Sequence, residues 1–262
     1  MRINRLSLLN SLFSVINENN QDDSYFVLAH YFLVHYHELS DLNIYDVADD
    51  CFVSRSSVRR FCQSIGYDNF KDLKTEFNEY DDQLNYYMQF ADREDFRQCL
   101  TNEIDEMIGE LDRRMNTEEV GKIAERLHDS RYVVFLTSDA STSRIKEFQQ
   151  SMILSNRIVR IISEAYTDNT LLSMLNEKDY LITISASGKF ADASEEIVKR
   201  CCAYKSLVTL NRDPKYNDWY DKVYHLSAKD RSKGKSVYGR YGIDYMFDVV
   251  FSHYIRKYGR SK

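Results

Sequence analysis

The stretch Ala48–Lys74, ADDCFVSRSSVRRFCQSIGYDNFKDLK, decides how the first third of the chain folds. Ser54 can cap a new helix by accepting hydrogen bonds from its first turn, and Gly66 can end that helix. Between these two residues, apolar side chains recur at helical spacing and define one inward face: Val58, Phe61, Cys62 and Ile65. The preceding segment, Ile44–Asp50, has the length and pattern of a short helix. Two helices joined by a tight turn predict a helix-turn-helix.

The opposite face of the second predicted helix is basic and rich in hydrogen-bond donors. It consists of Arg55, Ser56, Ser57, Arg59, Arg60 and Gln63, and no acidic residue occurs from Ser54 to Gly66. In a helix-turn-helix the second helix enters the major groove of DNA, where an arginine fork can bond two acceptors on guanine or clamp a phosphate. We therefore expect these six residues to contact DNA. The period alone fits an amphipathic helix with a solvated basic face equally well.

The charge distribution favours the DNA-binding interpretation. Residues 1–80 contain seven Lys or Arg and twelve Asp or Glu, which gives this region a net charge of −5. Three unopposed arginines on one helix stand out against that acidic background. Because an acidic body repels a polyanion, a few placed contacts must supply the affinity, and we expect specific, salt-sensitive DNA binding.

This N-terminal stretch resembles the DNA-binding domain of the RpiR/MurR family of bacterial transcriptional regulators. The family's recognition helix has a pattern like V-S-x-x-[ST]-V-x-R-F, followed by a glycine and then a phenylalanine-containing helix. The matching residues are Val53, Ser54, Ser57, Val58, Arg60, Phe61, Gly66 and Phe70. The resemblance implies a helical domain over residues 1–80, with a lead-in helix at Tyr25–Tyr36, that binds operator DNA.

After Ser130 short apolar runs alternate with helical patterns. The strand candidates are Tyr132–Leu136, Ile158–Ile162, Tyr180–Ile184, Leu207–Leu210 and Lys222–Leu226. The helix candidates are Ser143–Leu154, Asn169–Leu175, Ala191–Ala203 and Ile243–Lys257. This alternation predicts a three-layer α/β domain over residues 113–262, built on a mainly parallel sheet. Residues 81–112 show helical spacing without a Gly- or Pro-rich boundary, so we expect a helical linker there.

Two hydroxyl-rich loops follow predicted strands. The first is Thr137–Thr142, TSDAST, and the second is Ser185–Lys189, SASGK. Ligands of open α/β sheets bind at the carboxyl ends of the strands, and hydroxyls with backbone N–H groups at a helix start suit a phosphate. Serines in these positions can also simply cap the following helices. The residues alone leave both interpretations open.

The second loop resembles the phosphosugar-binding loop of the SIS domain, the usual C-terminal partner of this DNA-binding domain. The matching residues are Ile184, Ser185, Ser187 and Gly188. The resemblance implies a flavodoxin-like fold, dimerisation and a sugar-phosphate effector held by Ser138, Ser141, Ser185, Ser187, Gly188 and Lys189. The first loop departs from the usual G-x-G-[AS]-S, because it lacks both glycines and places Asp139 where a carboxylate would repel a phosphate. Phe190 stands where a threonine is common and is expected to add bulk.

These features predict a cytoplasmic regulator of sugar-metabolism genes that acts as a homodimer or homotetramer. The alternatives are a ligand-independent regulator with a degenerate SIS scaffold and, less favoured, a sugar-phosphate isomerase. No side chain has a spacing that assigns it the role of a catalytic base, so we expect no enzymatic activity.

Other classes of protein are disfavoured by the composition. No apolar run approaches the roughly eighteen residues of a membrane span, and the interrupted N-terminal stretch MRINRLSLLNSLFSVINENN predicts a helix rather than a signal peptide. The five cysteines show no C-x-x-C spacing, which indicates a reducing compartment and neither disulfides nor a zinc ribbon. His30, His35 and His37 form no ligand set with Cys or carboxylates, so we expect no metal site and no cofactor.

Overall fold

The structure is a computed structural model, and it describes residues 8–76, 88–163, 168–233 and 236–259. These residues fall into two compact units, one that ends at residue 85 and one that starts at residue 86. Within the described residues, no helix combines the length and the apolar character that crossing a membrane requires.

In the described residues of the N-terminal unit, all regular secondary structure is helical. Its α-helices are α1 (Leu8–Glu18), α2 (Ser24–Val34), α3 (Ile44–Asp50), α4 (Arg55–Ser64) and α5 (Phe70–Glu76), with a 3-10 turn at Tyr36–Glu38. The predicted lead-in helix is therefore α2, which ends two residues early where the 3-10 turn takes over. Phe32 is fully buried and its ring lies 5.7 Å from that of Phe61 on α4 and 5.9 Å from that of Phe70 on α5. These contacts hold α4 by its inner face.

The C-terminal unit is a three-layer α/β domain. Its elements are α6 (Phe96–Arg114), α7 (Thr117–Asp129), β1 (Val133–Thr137), α8 (Asp139–Ile153), β2 (Arg160–Ile162), α9 (Asn169–Met174), β3 (Tyr180–Ile184), α10 (Lys189–Ala193), α11 (Glu195–Arg200), β4 (Tyr204–Thr209), a 3-10 turn (Pro214–Asp218), β5 (Lys222–His225), a π-helical turn (Tyr238–Gly242) and α12 (Ile243–Tyr258). The five strands are parallel in the order β2-β1-β3-β4-β5, which is the flavodoxin-like order. The predicted parallel α/β sheet is confirmed.

Alternate residues of the strands point to opposite faces of the sheet and belong to two separate hydrophobic cores. Phe135 and Ile182 point to the face covered by α6, α7, α8 and α12. Val134 and Leu181 point to the face covered by α9, α10, α11 and the 3-10 turn. All five residues of β1 and of β3 are buried, as expected for central strands with helices on both sides.

Two parts of this unit differ from the sequence-based expectation. The single helix expected at Ala191–Ala203 is split into α10 and α11, because the buried Ser194 hydroxyl donates back to the carbonyl oxygens of Phe190 (2.8 Å) and Ala191 (3.2 Å). The segment 81–112, expected as a linker, includes most of α6. Met107 and Leu111 of that helix are buried in the sheet core, so α6 packs as part of the domain.

Candidate DNA-binding helix and strand-end crevice

Helices α3 and α4 form a compact pair with a capped start on each helix. The Asn43 side chain accepts a hydrogen bond from Tyr45 N–H (3.0 Å), and the Ser54 hydroxyl accepts one from Ser57 N–H (3.1 Å). Between the helices, Phe52 adopts a left-handed backbone conformation with φ of 52°. The chain can therefore reverse direction within four residues. This makes α4 the second helix of a helix-turn-helix, which is the position of a recognition helix.

The outer face of α4 carries the residues expected to meet DNA. Arg55, Ser56, Arg59, Arg60 and Gln63 are exposed, and Ser57 is half-buried. Arg60 donates to the Ser57 hydroxyl over 3.4 Å, and Gln63 donates to the Asp68 carbonyl over 3.3 Å. Within the described residues, Arg59 has no hydrogen bond or ion pair and no carboxylate pairs with any of the three arginines. The face therefore offers cations that no carboxylate among the described residues compensates.

Two aromatic residues beside this face were not anticipated. The Arg55 guanidinium lies 4.7 Å from the ring centroid of Tyr45 on α3, which restrains the arginine side chain. Phe52, at the turn, is 96% exposed. The stacking on Tyr45 and the position of Phe52 at the turn could not be predicted from the sequence. Helical periodicity predicts burial but not stacking across a turn, and a left-handed turn residue is usually glycine.

In the C-terminal unit, the two hydroxyl-rich loops lie side by side. Strands β1 and β3 are neighbours, and their last residues, Thr137 and Ile184, are paired in register. In the observed strand order, the crevice between β1 and β3 is the topological switch point, where ligands of such sheets bind. The structure thus brings together Ser138, Ser141, Ser185, Ser187, Gly188 and Lys189 at one edge of the sheet.

The serines of the second loop do cap the helix that follows. The buried Ser185 hydroxyl accepts from Ala191 N–H (3.1 Å), and the half-buried Ser187 hydroxyl accepts from Lys189 N–H (3.4 Å). Each hydroxyl still has its own hydrogen to donate. Capping and ligand binding are therefore compatible in this loop, and Lys189 next to it is exposed.

Gly188 shapes this loop through its backbone. Its φ is 89°, and a Cβ atom added there would overlap Tyr216 Oη and lie 2.6 Å from Asn211 Nδ2. Asn211 donates to the Ser187 carbonyl (3.1 Å), and Tyr216 donates to the Gly188 carbonyl (3.3 Å) and to Asp192 (3.0 Å). Burial and the Asp192 carboxylate raise the pKa of Tyr216, so its hydroxyl stays a donor. Only glycine fits, and Asn211 and Tyr216 are supporting residues that no motif indicated.

The first loop is shaped by its backbone as well. The Ser138 carbonyl accepts from Ser141 N–H (3.0 Å) and from the buried Thr142 hydroxyl (3.3 Å). The Ser138 hydroxyl makes no capping bond to α8, and both Ser138 and Ser141 are half-buried. The side chain of Asp139 lies outside the part of the chain that the structure describes.

The expected crowding by Phe190 does not occur. Its ring is 3% exposed and belongs to the core between the sheet and α10, so it points away from the crevice. The sequence alone could not assign the ring to one side of α10, because this helix is only five residues long.

The π-helical turn, Tyr238–Gly242, lies beside the second loop of the crevice. At Gly239 an added Cβ would lie 3.5 Å from the Cβ of Ala186 in the second loop. Arg144 of α8 donates to the Gly239 carbonyl over 2.6 Å. Tyr238 donates to Glu110 of α6 over 2.7 Å. The turn therefore touches the crevice loop on one side and α6 on the other.

Known proteins similar to this chain include regulators with a helix-turn-helix. Residues 4–83 match the helix-turn-helix domain of the rpiR family. The HTH-type transcriptional regulator GlvR of Bacillus subtilis (strain 168) is 24% identical over 186 residues, which are 70% of this chain and 66% of GlvR. The match thus spans just under two thirds of GlvR.

Among solved structures, the Vibrio vulnificus NanR protein complexed with ManNAc-6P has a TM-score of 0.48 at 17% identity and covers 97% of this chain and 93% of that chain. The sugar isomerase domain of the RpiR transcription factor from Sphaerobacter thermophilus has a TM-score of 0.46 at 13% identity and covers 61% of this chain and 90% of that chain. Residues 4–83 therefore form a helix-turn-helix domain of the rpiR family, and the chain as a whole is similar to a transcriptional regulator.

Proposed function

We propose that this regulator binds operator DNA in the cytoplasm through α4 and that a sugar phosphate in the strand-end crevice controls its affinity. The observation that carries the ligand half of the proposal is the pair of hydroxyl-rich loops held together at the β1/β3 switch point. The observation that supports the DNA half is the uncompensated basic face of α4.

The side chains on the outer face of α4 suit contacts with DNA. Arg59 and Arg60 have forked donors for a guanine edge or a phosphate, and Ser56 and Ser57 lie at the helix start, where hydroxyls and N–H groups suit phosphates. A single helix-turn-helix offers little contact area. We therefore propose a homodimer or homotetramer that presents two copies of α4 about 34 Å apart, one turn of DNA.

The crevice offers a phosphate both hydroxyl donors and a cation. Ser138, Ser141 and Ser187 offer hydroxyl hydrogens, and Ser185 adds one from the floor of the loop. Lys189 brings a cation, and the loop glycine, Gly188, allows the backbone a conformation that a side chain would forbid. Residues 1–80 would then form the DNA-binding domain and residues 113–262 the sensing and dimerisation domain.

Glu110 supports a route by which an occupied crevice could act on the rest of the chain. Its carboxylate accepts hydrogen bonds from Tyr238, Ser227 and Ala228 N–H. Burial would raise the pKa of Glu110, but these hydrogen bonds outweigh it and lower the pKa below its usual value. Since α6 is the first long helix of the C-terminal unit among the described residues, a shift of the π-helical turn would be passed to α6 through this carboxylate.

The crevice is tested by thermal shift of the purified full chain with a panel of hexose, pentose and amino-sugar phosphates that includes ManNAc-6P. We expect at least one member to raise the melting temperature, because a ligand that binds only the folded state stabilises it. Ser187→Ala should weaken that ligand by about 1.5–3 kcal/mol, the worth of a hydrogen bond to a charged group. Ser173→Ala, an exposed serine on α9, is the matched control and should change nothing.

The outcome separates the competing accounts of the domain. If no member of the panel shifts the wild-type protein, the sensing proposal fails and a ligand-independent regulator with a degenerate scaffold is the better account. The loss of both glycines from the first loop favours that alternative, so Asp139→Gly belongs in the same assay.

Glu110→Gln should uncouple the effector from DNA. The glutamine amide keeps the shape of the side chain but removes the negative charge to which the three donors bond. We expect the free energy of unfolding to fall by about 1–3 kcal/mol. We expect both the operator and the sugar phosphate still to bind, while the ratio of operator Kd values with and without the sugar phosphate falls towards one. Asp105→Asn, exposed on the same helix, is the control. A full response in Glu110→Gln would exclude this route.

A further inference from the structure

A second concave site lies at the opposite end of the sheet from the crevice. It is a groove of about 380 Å³ at the amino ends of β3, β4 and β5, with α7 along one side. Its volume falls within the range of small-molecule sites, about 300–1,000 Å³. A central strand rises about 3.3 Å per residue, so five residues of β3 separate the groove from the crevice by roughly 15 Å.

The side chain of Arg126 on α7 lies in this groove and stacks on Tyr204. Its guanidinium carbon lies 3.2 Å from the ring centroid of Tyr204, at the start of β4. Within the described residues the half-buried guanidinium donates no hydrogen bond and forms no ion pair. An arginine stacked on an aromatic ring keeps its planar fork in a fixed orientation, which favours bidentate binding of a carboxylate or phosphate.

Several other charged residues at the groove are already paired, whereas Glu177 and Lys178, which also line it, are exposed. Lys122 pairs with Glu118 over 2.8 Å, and Lys222 pairs with Glu119 over 2.9 Å. Asp179 is buried and pairs with Arg131 over 2.8 Å. These pairs fix the walls of the groove. Of the lining cations that no carboxylate among the described residues pairs with, Arg126 is half-buried and Lys178 is exposed.

Two carboxylates flank that cation. Glu125 and Asp129 lie next to Arg126 along the side of α7 that lines the groove, and both are exposed. In the part of the chain that the structure describes, neither carboxylate accepts a side-chain hydrogen bond or forms an ion pair, although Lys257 of α12 interacts electrostatically with both. A simple anion near Arg126 would be repelled by them, whereas a ligand that also carries a positive charge would be attracted by both groups.

We propose that this groove binds a small zwitterionic metabolite, with its carboxylate or phosphate on Arg126 and its ammonium group between Glu125 and Asp129. An amino acid and an aminoalkyl phosphate share this chemistry. The site is independent of the sugar-phosphate crevice in location and in residues.

The test is isothermal titration of the full chain with phosphoethanolamine and with L-serine. Inorganic phosphate and ethanolamine, which carry charge of only one sign, are the controls. We expect saturable binding of at least one zwitterion and at least about tenfold weaker binding of both controls. Arg126→Gln, which keeps the stem of the side chain, should weaken the zwitterion at least about tenfold, as should the pair Glu125→Gln and Asp129→Asn. Ser187→Ala should leave the affinity unchanged.

Several results would overturn the proposal. The first is that neither zwitterion binds at millimolar concentration. The second is that inorganic phosphate binds as tightly as the zwitterion. The third is that Arg126→Gln melts like the wild type and binds the zwitterion with undiminished affinity. A loss of zwitterion binding in Ser187→Ala would place the ligand in the crevice instead. If Arg126→Gln unfolds, the Glu125 and Asp129 variants decide, since those side chains are exposed. None of these results depends on whether a sugar phosphate binds.

Discussion

Replacing Arg59 and Arg60 together by alanine is expected to reduce operator affinity by about 2–6 kcal/mol, since each contact to a base is worth roughly 1–3 kcal/mol. Both side chains are exposed on α4, and no carboxylate among the described residues pairs with them. If either arginine binds a phosphate, the slope of log affinity against log salt should also become shallower by about one for that arginine. The fold should be unaffected, because Val58, Phe61 and Cys62 hold the inner face of α4.

The experiment is a fluorescence anisotropy titration of a DNA fragment that the purified protein has selected from a random pool. The control is Arg113→Ala with Arg200→Ala, which removes the same charge from exposed positions of the C-terminal unit. If the α4 variant binds the fragment as tightly as this control, α4 is not the recognition helix.

Gly188→Ala is expected to cost about 2–5 kcal/mol of folding free energy. Roughly 1–2 kcal/mol comes from a side chain at positive φ, and about 1–3 kcal/mol from overpacking against Tyr216 and Asn211. The loop would have to move, so the crevice should also lose its sugar phosphate. The measurement is urea unfolding followed by circular dichroism.

Gly239→Ala is the matched comparison for Gly188→Ala. An added Cβ there lies 3.4 Å from its nearest neighbour, Leu210, which is an ordinary contact, and we expect a change within about 0.5 kcal/mol. Equal costs for the two variants would show that the loop around Gly188 is not built as described.

Local patterns predicted most of the architecture. Alternating apolar runs and helical spacings gave the parallel sheet, and Ser54 was identified as the cap of α4, which its hydrogen bond to Ser57 N–H confirms. These features depend on neighbours within a few residues, which is the range that periodicity and capping rules cover.

The remaining features depend on contacts between distant parts of the chain. Asn211 and Tyr216 support a loop more than twenty residues away, with sequence separations of 24 and 28 residues. Arg126 meets Tyr204 only because α7 packs beside the start of β4. Ser194 breaks a helix through its own hydroxyl, an effect that competes with helical propensity and is decided by burial.

The most direct test of the central claim is the operator Kd of the full chain, measured by anisotropy with and without the sugar phosphate that stabilises it. We predict a change of about 5–150-fold, the usual range of coupling between two sites, and its loss in Ser187→Ala with the ligand-free affinity retained. An operator Kd that stays the same when the crevice is saturated would contradict the account, because a ligand with no preference between two states cannot regulate them.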